Sequence, residues 1–256
     1  LSNLHELIEL TRRSAPEAHI HVDLVQTYSK LPFDFDTYDV DSIAVSGHKF
    51  HGPRGAGFLA LSNSANIGAL QEAGGQEGGL RGGTENVAGA VGLMAAAEEA
   101  LTHQNWTEAH TRDLCDRMFE IIQDALPKSV RLGNPEHRLP HILSMQLPGV
   151  AGETLMTRCS ARGVAFSVGS ACHGAEGGDS KKQSKKPSNH VLAAIGMNQT
   201  QAREVVRLSF SGETSIEDAE DAADILVDEA QRLLNSAPRR AKANQTAVAS
   251  KGAKRR

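Results

Sequence analysis

The residues best suited to chemistry form a polar turn that follows an apolar run. The run is Ser42-Ile43-Ala44-Val45, and the turn is Ser46-Gly47-His48-Lys49. Burial of a lysine at the exit of a strand favours its neutral amine, which can attack a carbonyl. Ser46 and His48 could hold an anion beside that amine. Four residues alone are explained better as an ordinary polar turn, so the rest of the chain decides their meaning.

Three other groups could complete a site around this turn. Asp23 ends a predicted buried strand that begins at Ala18, and Gln26 follows three residues later. Thr84 follows a loop, residues 74–83, in which six of ten residues are glycine, and it precedes an alanine-rich predicted helix. A helix N-terminus favours anions, so Thr84 could help to hold a phosphate, or it could be an ordinary N-cap.

One of the three cysteines stands apart from the other two. Cys115 and Cys159 fall within predicted amphipathic helices and are interpreted as structural. Cys172 follows Gly169-Ser170-Ala171 and opens a lysine-rich segment, 174–189, that is predicted to be a flexible loop. An exposed loop is a poor position for a structural thiol, and a thiolate there could act as a nucleophile. No two cysteines have the spacing of a zinc site.

Composition limits the classes of protein that need considering. The 256 residues are 39% hydrophobic, and no apolar run approaches the roughly 20 residues of a membrane span. Few cysteines indicate a reducing compartment, and the N-terminal residues predict an amphipathic helix rather than a signal peptide, so a cytoplasmic location is expected. The net charge of −4 includes seven basic and no acidic residues in 235–256. This tail is interpreted as a disordered end, with nucleic-acid binding and nuclear targeting as alternatives.

The order of predicted elements indicates an α/β protein. Apolar runs that end near Asp23, Val45 and Leu61 alternate with loops or helices, which predicts a mostly parallel sheet covered by helices. After about residue 104 the pattern changes to a strand–helix–strand–helix arrangement, which predicts a smaller α+β domain. The predicted domains are residues 1–103, residues 104–236 with the cysteine loop, and the basic tail 237–256.

Seven segments occur in an order that resembles one known family. Together they are similar to the cysteine desulfurase and selenocysteine lyase family of fold-type I pyridoxal phosphate enzymes, over about residues 17–234. The segments are Asp23 with Gln26, Ser46-Gly47-His48-Lys49, Gly52-Pro53, Gly74-Gly75-Gln76-Glu77, Arg81-Gly82-Gly83-Thr84-Glu85-Asn86, Gly169-Ser170-Ala171-Cys172 and Arg207-Leu208-Ser209.

The resemblance implies a role for each of these groups. Lys49 would form the Schiff base with pyridoxal 5′-phosphate, and Cys172 would be the nucleophile that removes sulfur or selenium. The cofactor would be held by Asp23 at the pyridine nitrogen, by Gln26 at the phenolic oxygen, and at the phosphate by Ser46 and His48. Thr84 would reach the phosphate of a partner subunit, which implies a homodimer. Arg207 would hold the substrate carboxylate, or instead form a structural salt bridge.

The resemblance also leaves the substrate open between two amino acids. The segments around Cys172, Pro187 and Val191 are similar to the selenocysteine lyase branch, so L-selenocysteine lyase is the expected activity. L-cysteine desulfuration, which would supply sulfur to an acceptor protein, is the alternative, because the lysines of 181–186 are an insertion relative to that branch. Family members are longer on the N-terminal side, so a catalytically incomplete relative that only dimerises or binds a partner is a second alternative.

Overall fold

The computed structural model describes residues 3–70, 74–168 and 190–252, with side chains as far as residue 236. It divides the chain into two compact units, each described here by itself. The first unit comprises residues 1–109 with 136–139, and the second comprises residues 110–135 with 140–256. This division concerns packing alone, and the functional domain assignment made from the sequence stays a prediction.

The first unit is built on a three-stranded sheet. Its elements are α1 (Leu4–Ser14), β1 (His21–Asp23), β2 (Ser42–Ser46), β3 (Gly57–Leu61), α2 (Val87–Thr102) and the start of α3 (Gln104–Ala125). The strand order is β1-β2-β3, with β2 parallel to β1 and antiparallel to β3. The α/β class is therefore confirmed, although the described sheet is mixed rather than mostly parallel.

The lengths of the two connections explain the mixed pairing. Eighteen residues separate β1 from β2, which is enough for the crossover that parallel strands need, roughly a dozen residues. The link from β2 to β3 is shorter and contains the turn after Lys49, so the chain reverses and pairs antiparallel. Gly57 pairs with Ser46 at the start of β3, and a Cβ there would lie 2.5 Å from the carbonyl oxygen of Val45. Glycine is therefore required where the two strands meet so closely.

Alternate residues of the sheet form the core of the first unit. Ile43 and Val45 of β2 are buried on one face, where α1 contributes Ile8 and α2 contributes Leu93. Phe50, only 1% exposed, packs in the same cluster. This is the period-2 burial expected when one face of a sheet packs against helices.

The second unit has its own antiparallel sheet and helices. Its strands are β4 (Val130–Arg131), β5 (Ile142–Gln146) and β6 (Val205–Ser209), in the order β4-β5-β6. Its helices are most of α3, α4 (Gly152–Ser160), α5 (His190–Ala194), α6 (Gln199–Arg203) and α7 (Ile216–Gly252). Leu143, Met145 and Val206 of the sheet are fully buried in one cluster with residues of α3, α4 and α7.

Two sequence expectations in this unit differ from the structure. The run Gly163-Val164-Ala165-Phe166-Ser167-Val168 predicts a strand, but in this run only Ser167 bridges to Arg207 of β6. The backbone N–H of Val164 instead bonds to the carbonyl of Cys159 at 3.0 Å, and Gly163 has a φ of +88°. The first of these residues therefore close the end of α4 with a left-handed glycine, and the pairing with the sheet is limited to Ser167.

The last helix also runs further than expected. The sequence predicts its end near Leu234 and a disordered tail over 237–256, whereas the backbone of α7 is helical to Gly252. Alanine, arginine and lysine make up half of residues 235–252, and their high helix propensity favours the extension, whereas Pro238 opposes it. None of the described helices combines the length and apolar character that a membrane span requires.

Candidate active site

The candidate site lies at the carboxyl ends of β1 and β2. Because the two strands are parallel and Asp23 pairs with Ala44, Asp23 and Ser46 lie at the same edge of the sheet. The 3₁₀ turn Gly47–Phe50 continues directly from β2 and brings His48 and Lys49 to that edge. Open α/β sheets bind ligands beyond the carboxyl ends of parallel strands, so the topology assembles four of the predicted site residues in the expected place.

The carboxylate of Asp23 is held by the turn that follows β1. Its Oδ1 accepts a hydrogen bond of 2.8 Å from the backbone N–H of Val25, which leaves the other oxygen free of this contact. Asp23 and Gln26 are both exposed. Among the described residues no cation forms an ion pair with Asp23, so its carboxylate can serve a ligand.

Packing fixes the shape of the turn that carries Lys49. Phe50 is its buried anchor, with its ring 5.0 Å from that of Tyr28. Gly47 is buried as well, and a Cβ there would lie 2.7 Å from Cδ1 of Leu93 in α2. The turn closes through a bond of 2.9 Å from the N–H of Gly52 to the carbonyl of Gly47. The glycine and the phenylalanine take the buried positions, so His48 and Lys49 are left exposed.

Ser46 and His48 form the predicted anion-binding pair. The Oγ of Ser46 lies 2.8 Å from Nδ1 of His48, within hydrogen-bond distance. Ser46 is half-buried at the end of β2, and His48 is exposed. One proton of the pair is used in this contact, and the other donor, the hydroxyl or the Nε2–H according to the tautomer, is left for a phosphate oxygen.

The surroundings of Lys49 differ from the sequence expectation. A buried lysine was expected, but Lys49 is exposed and contacts no carboxylate among the described residues. The lysine that burial does affect is Lys30, in the turn after β1, where desolvation lowers the pKa of its amine. Nothing in the sequence marks Lys30, because it belongs to no motif. The two amines are therefore competing candidates that experiment can separate.

Thr84 is exposed and is not the cap of α2. The capping residue is Asn86, whose Oδ1 accepts a 3.0 Å hydrogen bond from the N–H of Gly89. The interpretation of Thr84 as an ordinary N-cap is therefore wrong, because an amide two residues later performs that role. Its proposed contact with a phosphate of a partner subunit stays a prediction.

Arg207 lies in the second unit, in the middle of the antiparallel strand β6. Its backbone exchanges two hydrogen bonds with Ser167, of 2.8 and 3.0 Å. Its side chain is half-buried, and no described carboxylate lies within ion-pair distance of it. The structural salt bridge offered as an alternative is thus absent from the described residues, which leaves the guanidinium available for a substrate carboxylate.

The two structural cysteines are confirmed as buried free thiols. Desolvation, followed by the nearby Glu229 carboxylate, raises the pKa of Cys159 to about 11. Its thiol therefore stays protonated at neutral pH and is a poor nucleophile. Cys172, the predicted nucleophile, and the lysines of 181–186 lie outside the described residues, so the role of Cys172 stays a prediction.

The chain is similar to known proteins over most of its length. The chain is 36% identical over 221 residues to a cysteine desulfurase of Sinorhizobium fredii, covering 86% of this chain and 55% of that protein. It is 31% identical over 227 residues to the cysteine desulfurase of Homo sapiens, covering 88% and 47%. A solved NifS-like protein superposes with a TM-score of 0.77 at 28% identity, over 88% of this chain and 56% of that one.

A further solved structure, described as SspA in complex with cysteine, matches with a TM-score of 0.59 at 28% identity, over 81% of this chain and 54% of that one. The chain thus spans about half the length of the relatives it matches. The family model described as aminotransferase class V matches residues 1–221. This match covers most of the chain, which therefore belongs to the class V aminotransferase family.

Proposed function

We propose that this protein is a pyridoxal 5′-phosphate-dependent cysteine desulfurase. The observation that carries the proposal is the convergence of Asp23, Ser46, His48 and Lys49 at one edge of the sheet. Cysteine desulfurases in this family use that cofactor, and the relatives that match here bear that name. These names support the alternative activity, desulfuration of L-cysteine, better than the expected selenocysteine lyase. The chain spans about half the length of these relatives, so we propose the activity and do not take it from their names.

The donor set at this edge fits the cofactor. A phosphate needs hydrogen-bond donors, which the paired Ser46 and His48 provide at the end of β2. A protonated pyridine nitrogen needs a carboxylate, and Asp23 has one oxygen outside its turn contact. An aldehyde needs an accessible amine, and Lys49 is exposed on the same turn as His48. When bound, the cofactor supplies an electron sink for the substrate α-carbon.

The roles of the residues follow from their chemistry. Lys49 holds the cofactor and then moves protons at the α- and β-carbons of the substrate. Arg207 pairs with the substrate carboxylate. The Cys172 thiolate attacks the substrate sulfur, so that a sulfur–sulfur bond forms while the carbon–sulfur bond breaks. Protonation of the remaining carbon skeleton gives alanine, and the persulfide on Cys172 passes its sulfur to an acceptor protein.

The test is alanine production by the purified chain supplied with cofactor and L-cysteine. We expect alanine from the chain itself and none from Cys172→Ser, while the variant still binds cofactor. Full activity on L-cysteine in Cys172→Ser would overturn the scheme. A chain that neither binds cofactor nor forms alanine would support instead the incomplete relative that dimerises or binds a partner.

Selenocysteine lyase remains the second candidate because of the segments around Cys172 and Val191. A selenol is more acidic than a thiol and leaves more readily, so selenium can depart with less help from Cys172. The ratio of kcat/KM for L-selenocysteine and L-cysteine decides between the two. Activity on selenocysteine that survives Cys172→Ser, with none on cysteine in either protein, would identify a selenocysteine lyase.

A further inference from the structure

Two exposed histidines at the beginning of β1 converge on one buried hydroxyl. Nε2 of His19 lies 2.7 Å from Oγ of Ser42, and Nδ1 of His21 lies 2.8 Å from the same atom. Residues two apart on an extended chain point to one side, so the His-x-His spacing places both rings on the same face. Ser42 is 2% exposed and pairs in register with His21.

The backbone of Ile20, between the two histidines, is held by hydrogen bonds to Asp41 and Ser42. The N–H of Ile20 donates to Oδ2 of Asp41 at 2.7 Å, and the carbonyl of Ile20 accepts from the N–H groups of Asp41 and Ser42 at 2.9 and 3.2 Å. Ile20 is the residue between the histidines. These three hydrogen bonds fix the spacing of the rings before any ligand arrives, which is the preorganisation that a chelating pair needs.

The charge near the histidines favours a cation. Arg12 forms ion pairs with Asp39 at 2.8 Å and with Asp41 at 2.9 Å, so two carboxylates surround one guanidinium. The hydrogen bond from Ile20, followed by that from Arg12, lowers the pKa of Asp41, which keeps its carboxylate ionised. The three side chains together carry a net charge of −1, and Asp41 is the one that contacts the backbone between His19 and His21.

We propose that His19 and His21 form a two-histidine chelate for a late first-row divalent cation such as Ni²⁺, Cu²⁺ or Zn²⁺. Imidazole nitrogens suit these ions and bind them at about 2.0–2.1 Å, whereas Mg²⁺ and Ca²⁺ require oxygen ligands. The ion replaces the Ser42 hydroxyl as the partner of both rings. Each ring carries its remaining proton on the outer nitrogen, and water completes the coordination.

This site is independent of the proposed desulfurase activity. No group of three histidine, cysteine, aspartate or glutamate side chains that could hold a metal occurs in the part of the chain that the structure describes. The chelate is thus a two-ligand site, formed by two exposed histidines over a buried hydroxyl. It lies on the same strand as Asp23 and uses none of the residues assigned to the cofactor.

Calorimetric titration of the purified chain with Ni²⁺ tests the proposal. We expect one Ni²⁺ per chain and no heat with Mg²⁺. Each single variant, His19→Gln or His21→Gln, should weaken Ni²⁺ binding by at least about tenfold, since each removes one of two ligands. His103→Gln is the matched control, because His103 is exposed and pairs only with Glu99 among the described residues, and it should bind Ni²⁺ like the parent chain.

A spectrum of the unaltered chain with Cu²⁺ gives a second test that does not depend on whether a variant folds. The electron paramagnetic resonance spectrum of the Cu²⁺ complex should show coupling to two imidazole nitrogens. It should show one in either single variant. Ni²⁺ binding that is unchanged in the His19→Gln/His21→Gln double variant, or a Cu²⁺ spectrum without two nitrogens, would overturn the proposal.

Discussion

The two units bury their cores to different degrees. The main buried cluster of the second unit is tightly enclosed: its residues are 0–1% exposed except Leu208 at 4%, while Val205 and Leu192 outside the cluster are 4% and 7% exposed. In the first unit, Phe50 alone is as well enclosed, and the other buried core residues keep 4–8% exposure. The first unit nevertheless carries Asp23, Ser46, His48 and Lys49. Chemistry is therefore placed on the more open sheet, while the second unit resembles a self-sufficient structural core.

Helix α2 shows the same openness. Its inner face buries Gly89 and Leu93, yet Val87, Val91 and Met94 on other faces are 56–67% exposed. A helix that is apolar on all sides is typical of a buried position. Val87, Val91 and Met94 are therefore more exposed than is usual in such a helix.

The largest expected effect separates the two lysines of the first unit. Lys49→Ala should abolish the visible absorption of bound cofactor and lower alanine production by at least about 10³-fold, because the variant lacks the amine assigned to hold the cofactor and move the proton. Absorption spectra and turnover measure both effects. The matched control is Lys30→Ala, which removes the lysine with the lowered pKa. Loss of both signals in Lys30→Ala but not in Lys49→Ala would contradict the assignment.

Equivalent truncations in the two central strands test the contrast in burial. Leu143→Ala in β5 leaves a cavity among fully buried neighbours and should cost about 3–5 kcal/mol of unfolding free energy. Ile43→Ala in β2, where the side chain is 5% exposed, should cost about 2–3 kcal/mol. Urea unfolding followed by circular dichroism gives both values. A larger cost for Ile43→Ala would reverse the comparison.

Gly47→Ala tests the close approach beneath the lysine turn. The added methyl group meets Cδ1 of Leu93, and we expect a loss of about 1–3 kcal/mol in unfolding free energy. Because the obstacle is a side chain, Gly47→Ala should cost less in a Leu93→Ala background, a coupling that a double-mutant cycle measures. Gly57→Ala is the control, since its methyl group meets the backbone oxygen of Val45. Strictly additive costs for Gly47 and Leu93 would show that the contact does not matter.

The smallest effect distinguishes capping from ligand binding before α2. Asn86→Ala removes the N-cap and should cost about 1 kcal/mol in thermal or urea unfolding. Thr84→Ala should leave stability within about 0.5 kcal/mol, because the side chain is exposed and caps nothing. It should weaken cofactor retention in a dialysis assay if Thr84 reaches a phosphate. Unaltered retention in Thr84→Ala would remove that role.

Local patterns in the sequence were sufficient for much of the fold. Strand β3 ends at Leu61 as predicted, and β2 extends one residue beyond the apolar run that ends at Val45. An apolar run between turn residues marks a buried strand clearly. The order of motifs also identified four site residues, which the structure shows at one edge of the sheet. These features depend on residues close together in the chain, which is where sequence patterns are informative.

Features that depend on distant partners could not be predicted in this way. The antiparallel pairing of β3 follows from the geometry of the turn, and the capping of α4 by Gly163 removes an apparent strand. The exposure of Lys49 follows from Phe50 and Gly47 taking the buried positions of its turn. Burial of Lys30 likewise arises from packing, because no spacing rule marks it.

The most direct test of the account identifies the lysine that holds the cofactor. The purified chain is incubated with pyridoxal 5′-phosphate, reduced with borohydride, digested and analysed by mass spectrometry. We expect one pyridoxyl-modified peptide, with the modification on Lys49 and none on Lys30. Modification of Lys30 instead, or equal labelling of surface lysines, would contradict the claim that the edge formed by β1 and β2 is the active site.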